Sequence, residues 1–156
     1  MRIASCFTVA ALTLTPLAGC TSSGNAAAGS PFDGDWSCTQ ADALTYTSPP
    51  GSAPASSTNP ASLVVTEEVN GAFTATSSTE AGASCPLHYT ASGSNATLIA
   101  GQSCVSGALT FAYTEGTLAV SGSAMNATLQ FTFTGSVNDV TVAGTGTTTF
   151  ACKNGS

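Results

Sequence analysis

Apolar and polar residues alternate with a period of two along most of the chain beyond residue 32, and short turn-forming pairs interrupt the alternation. In GALTFAYTEGTLAVSG, a two-residue turn at Glu115-Gly116 puts Leu109, Phe111 and Tyr113 on one face with Leu118, Val120 and Gly122. Thr110, Ala112 and Thr114 then share the other face with Thr117, Ala119 and Ser121. ATLQFTFTGSV and VTVAGTGTTTF meet at Asn138-Asp139, a register that sets Phe131 opposite Gly146 and Phe133 opposite Gly144. Leu129, Val137, Val140 and Val142 fall on that apolar face.

CPLHYTASGSNATLIAGQSC turns at Ser94-Asn95, which places Cys85 opposite Cys104. Leu87, Tyr89, Ala91, Leu98, Ala100 and Gln102 then lie on the cysteine face, and His88, Thr90, Ser92 and Thr97 on the other. SLVVTEEVNGAFTATSS turns at Asn70-Gly71 and leaves its inner face open, because Leu63, Val65 and Val69 alternate one way and Val64 and Phe73 the other. Trp36, Cys38, Leu44 and Tyr46 are in phase on a first strand. SPPGSAPASSTNP after it reads as a Pro/Ser-rich loop.

The pattern predicts an all-β, antiparallel up-and-down meander of eight or nine strands. Such a meander hides its edges by closing into a barrel; a two-sheet β-sandwich is the alternative. Cys38 is in phase with Trp36 and Cys152 with Phe150, so a Cys38–Cys152 disulfide would pin the seam between first and last strands, and Cys85–Cys104 would be the second bridge. Trp36, Tyr89, Phe111, Tyr113, Phe131, Phe133 and Phe150 point inward as core or cavity lining. So many large residues predict a mostly filled interior, whereas inward Gly122, Gly144 and Gly146 would leave room for a ligand.

The chain has 156 residues, with 2 Lys and Arg against 8 Asp and Glu. Arg2 lies in the N-terminal segment, so Lys153 is the one base in the folded part, and nucleic acid is not an expected partner. An even set of four cysteines beyond Cys20 suits disulfides in an exported protein, and their wide spacing does not suit a zinc site.

The N-terminus explains the export. Arg2 precedes an apolar stretch, Ile3 to Leu17, too short to span a bilayer, and LAGC follows at Leu17–Cys20. LAGC resembles the bacterial lipobox. The resemblance implies a signal peptide over 1–19, diacylglycerol on the Cys20 thiol and a further acyl chain such as palmitate on its amine. A flexible tether over 20–31 and a single β domain over 32–156 then follow. Thr21 implies the outer membrane if the source is Gram-negative; the localisation expected is the cell envelope, lipid-anchored. WSC at Trp36–Cys38 and a Cys near the end resemble short bacterial lipoproteins. Gly34-Asp35-Trp36 resembles the Gly-x-Trp signature of the calycins, the lipocalin and avidin group. That likeness implies that Trp36 packs across one end of a barrel and that the long loop after the first strand lies at the mouth.

No catalytic constellation stands out. Asp33 and Asp35 lack the further oxygen ligands of a Ca²⁺ loop. Glu67 and Glu68 are adjacent on a strand and point to opposite faces. His88 is the only histidine and faces outward, and no Gly-x-Ser-x-Gly elbow is present. The Asn95 and Asn126 acceptor patterns read as turn residues in a bacterial chain. The expectation is a non-enzyme without metal or cofactor: a structural or interaction module of the cell envelope, or alternatively a lipocalin-like binder of a small apolar ligand.

Overall fold

The computed structural model describes residues 30–67, 71–79 and 84–154, which form one antiparallel nine-stranded sheet without an α-helix. The strands are β1 (Gly34–Ser48), β2 (Ala55–Glu67), β3 (Ala72–Thr79), β4 (Ser84–Ser92), β5 (Asn95–Leu98), β6 (Ser103–Ser106), β7 (Leu109–Ser121), β8 (Ala124–Val137) and β9 (Val140–Asn154). Their order is β5-β4-β3-β2-β1-β9-β8-β7-β6, and β5 also pairs with β7. That extra pairing closes a ring of hydrogen bonds through eight strands, with β6 attached to β7 outside it. The fold is therefore a barrel-like meander. The lipobox, Cys20 and the tether up to Gly29 lie outside the described residues.

Alternation builds this ring. Threonines line its outer face in cross-strand pairs, such as Thr132 with Thr145 and Thr128 with Thr149, where a β-branched side chain suits a solvated pleat. Inward positions carry the bulk. The β8–β9 hairpin turns at Asn138 and Asp139, both with positive φ (51° and 62°), as a two-residue turn of matching twist requires. Its register sets Phe131 against Gly146 and Phe133 against Gly144, as the pattern predicts. Val137 and Val140, however, sit exposed at the tip, and Val142 is half-buried. The seam is β1 on β9: Cys38 pairs with Cys152, with sulfurs 2.03 Å apart.

Four expectations are corrected. Glu115-Gly116 is not a turn; both residues lie inside β7, paired with Gln130 and Leu129. The inward phase does switch there, from Tyr113 to Gly116, because Thr114 is an extra residue at a β-bulge. One inserted residue flips the phase as a turn would. Gly116 is small because a Cβ would come within 2.8 Å of Leu129 Cδ2 and 2.9 Å of Leu98 Cβ. The turn falls instead beyond Ser121, where Gly122 takes a φ of 60° and is exposed, not inward.

The Ser94-Asn95 turn is displaced by one residue, since Ser92 pairs with Asn95 and Tyr89 with Leu98. The strand after it also breaks in two. β5 ends at Leu98 and β6 begins at Ser103, so Ala100 and Gln102 belong to a corner and not to a cysteine face. Pairing of Glu67 with Phe73 brings Phe73 into phase with Leu63 and Val65, all three buried, while Val64 is exposed. That register is shifted by one residue from the one a two-residue turn at Asn70-Gly71 sets, which would pair Glu67 with Thr74; Glu68, Val69 and Asn70 lie outside the described residues. Finally, β2 begins at Ala55, inside the stretch read as loop. Pro60 is tolerated because β3 pairs with β2 from Ala61 onward, so among the described residues Ala55–Pro60 pairs with β1 alone.

The interior has two halves. At the Trp36 end it is filled by Phe32, Trp36, Phe73, Tyr89, Leu118 and Met125, all essentially inaccessible. Trp36 Nε1 donates to the Phe32 carbonyl at 2.8 Å, and Phe32, Phe73 and Tyr89 stack at 5.0 and 5.4 Å. Trp36 and Tyr89 both belong to this filled core. The void in this half, among Leu63, Leu87, Tyr89 and Leu118, is only about 10 Å³. The opposite half is not filled.

Candidate functional site: a half-open cavity around Asp42

Every second residue of β1 from Trp36 points inward, so Gln40 and Asp42 enter the interior between Cys38 and Leu44. Asp42 lies directly opposite Thr148 on β9 and Ser57 on β2. Its carboxylate accepts four contacts from three side chains. Gln40 Nε2 donates to both oxygens (3.0 and 2.9 Å), Ser57 Oγ to Oδ2 at 3.2 Å, and Thr148 Oγ1 to Oδ1. Four acceptor sites are thereby filled by neutral donors, which hold the carboxylate in one orientation.

This polar wall bounds a cavity of about 250 Å³. The rest of the lining is apolar and aromatic: Phe111 and Tyr113 from β7, Leu129 and Phe131 from β8, and Phe150 from β9, directly across from Gln40. Phe111 and Tyr113 meet Phe131 edge-on at 5.5 and 5.9 Å, and Phe133 packs behind, against Tyr46. Gly144 and Gly146 let the Phe133 and Phe131 rings lie down on β9, so these rings form a wall and do not fill the lumen.

Ser57 on β2, and Cys104 and Ser106 on β6, also line the cavity; among the described residues β6 pairs with β7 alone. Cys85 on β4 and Cys104 on β6 lie side by side in this lining, with sulfurs 2.26 Å apart and Cα atoms 5.9 Å apart. The expected cysteine pair is present, but on strands that share no hydrogen-bonded ladder. Tyr113 stands beside it, its hydroxyl 3.6 Å from Cys85 Sγ. Burial, with a smaller contribution from the Asp42 charge, raises the Tyr113 pKa above the ordinary phenol value. Burial likewise raises Tyr89, which the Tyr113 charge reinforces.

Of the predicted lining, Phe111, Tyr113 and Phe131 come together at this cavity; Phe133 backs it; Trp36 and Tyr89 belong to the filled end. The alternation reading passed over Gln40 and Asp42, yet their phase with Trp36 and Tyr46 was the signal that places them inside. Among the other candidates, Asp33 and Asp35 are exposed on either side of Gly34. His88 faces outward, with Nδ1 2.9 Å from Thr74 Oγ1. No known family model matches this chain, and no curated protein matches its sequence.

Proposed function

We propose that this is a lipid-anchored protein of the bacterial cell envelope whose domain binds a small, largely apolar ligand. The carrying observation is the cavity of about 250 Å³ walled by Phe111, Phe131 and Phe150 and by the polar group around Asp42. Ligand pockets are concave and mostly apolar, with a few fixed polar groups; this one falls just below the ordinary range of about 300–1,000 Å³ and so suits a molecule of one ring. The anchor rests on LAGC ending at Cys20, and its acyl chains would hold the domain at a membrane surface.

Two measurements test the reading. Cys20→Ser should abolish acylation and processing before residue 20; a variant that is processed and partitions into detergent like the parent removes the anchor. For the domain, full-length protein in nonionic micelles is titrated with benzyl alcohol, indole and benzylamine. Saturation to about 100 times Kd adds about 2.7 kcal/mol of stability. Saturable shifts of the Phe111 and Phe131 ring resonances, with a rise in melting temperature, support ligand binding. If none of the probes does this, the domain is instead a structural or interaction module of the envelope.

A further inference from the structure

Resting on that ligand-binding reading, we propose that the cavity selects an organic cation: an ammonium group beside Asp42, with its apolar body against Phe111, Tyr113 and Phe131. Asp42 is an inward carboxylate whose hydrogen-bond partners Gln40, Ser57 and Thr148 are all neutral. These donors orient the charge without cancelling it. The base nearest in sequence to this wall is Lys153, five residues beyond Thr148 on β9, at a position facing outward. At about 3.4 Å per residue it lies roughly 17 Å along the strand, beyond a Debye length at physiological salt. Among the described residues no cation pairs with Asp42, and its carboxylate has neutral partners alone.

The facing wall suits the same ligand class. Aromatic rings present a negative face that attracts ammonium groups as well as apolar ones. Asp42, Phe111, Tyr113 and Phe131 line the same cavity, so carboxylate and rings act on one shared volume. Ser57 makes the longest of the contacts to Asp42 and is exposed on β2. It is the donor that an entering N–H replaces, so the carboxylate keeps its full set of hydrogen bonds when the ligand is bound. An anion of equal size meets repulsion from Asp42, and a neutral molecule gains only the apolar wall.

Three probes of one shape and different charge separate these cases: benzylammonium, benzyl alcohol and benzoate, titrated into the full-length protein at low and at physiological salt and followed by NMR. Benzylammonium should bind at least about tenfold more tightly than benzyl alcohol, weaken with salt, and show contacts to the Thr148 methyl and the Phe131 ring; benzoate should not bind. Asp42→Asn should erase the difference between the cation and the alcohol. Equal or tighter binding of benzyl alcohol overturns the cation preference while ligand binding stands. A preference that survives Asp42→Asn also overturns it, because the chain's net charge would then be its source. Silence from all three probes removes the ligand-binding reading itself. The three-probe comparison on the parent protein decides the matter even if Asp42→Asn does not fold.

Discussion

Phe131 lies directly across β8 and β9 from Gly146, and its ring occupies the space where a side chain at residue 146 would begin. A Cβ there would also come within 2.7 Å of Leu44 Cδ2. Both obstacles are ends of side chains, so they can give. At Gly144 the obstacle includes the Thr45 backbone carbonyl, which cannot move without disturbing the β1–β9 seam. Gly146→Ala should therefore cost about 1–3 kcal/mol, and Gly144→Ala more. Thermal unfolding of the two variants gives the order; equal costs would mean that the rings and not the backbone limit both sites. Gly146→Ala should also push the Phe131 ring toward the lumen and weaken binding of any ligand there.

The two cysteine pairs should contribute unequally. Cys38–Cys152 spans a sequence separation of 114 residues and Cys85–Cys104 one of 19. In the chain-entropy account these correspond to about 4.7 and about 3 kcal/mol. Replacing each pair by alanines and comparing denaturant midpoints tests the order. Only loss of Cys85–Cys104 should alter the cavity, because that pair lines it and Cys38–Cys152 does not. Peptide mapping without reduction should recover these pairings, and a Cys38–Cys85 peptide would refute the seam.

Alkaline pH should destabilise the fold. Tyr89 and Tyr113 both have pKa values raised by burial above the ordinary phenol value. Above about pH 10 the unfolded chain loses these protons while the folded chain keeps them, so the unfolded state binds fewer protons and stability falls as pH rises. Below that pH the contribution is fully present. Tyr89→Phe should reduce the slope of stability against pH above pH 10. An unchanged slope would show that Tyr89 is not the group being protected.

Much of this architecture is written in strand phase, and the failures trace to features that phase alone does not distinguish. The β8–β9 hairpin was legible because Asn138-Asp139 suits positive φ and because the Phe–Gly pairs match only in one register. The β7 bulge was not, since Thr114 shifts the phase by one residue and so mimics a turn beside a glycine. Pro60 made β2 look like loop, and only the three-dimensional pairing reveals that, among the described residues, β1 is its one partner there. The cavity was hidden for a related reason. A list of inward aromatics counts volume, but Gly144 and Gly146 decide that Phe133 and Phe131 lie flat, and Asp42 is polar enough to be passed over although its phase is inward.

Gln102 offers the last test, at the corner where β5 gives way to β6. Its side-chain amide takes the place of a strand beside β4: Oε1 accepts from the His88 N–H at 2.7 Å, and Nε2 donates to the His88 carbonyl at 2.8 Å and to the Ile99 carbonyl at 2.7 Å. One backbone bond, from the Ile99 N–H to the His88 carbonyl at 2.9 Å, flanks this patch, and beyond it β4 has no ladder to β6. Gln102→Ala removes three hydrogen bonds at once. Because the site is exposed, water replaces part of what is lost, and the cost should be about 1–2 kcal/mol and not the sum of three buried bonds. The local effect should be sharper than the global one. Amide exchange at His88 should accelerate well beyond that of Tyr89, whose strand neighbours Phe73 and Leu98 remain in place. Gln102→Glu keeps the Oε1 acceptor and loses the Nε2 donor, so it should retain protection at the His88 amide while the corner loosens. Equal exchange in all three proteins would mean that the β4–β5 ladder, without Gln102, holds this edge of the ring.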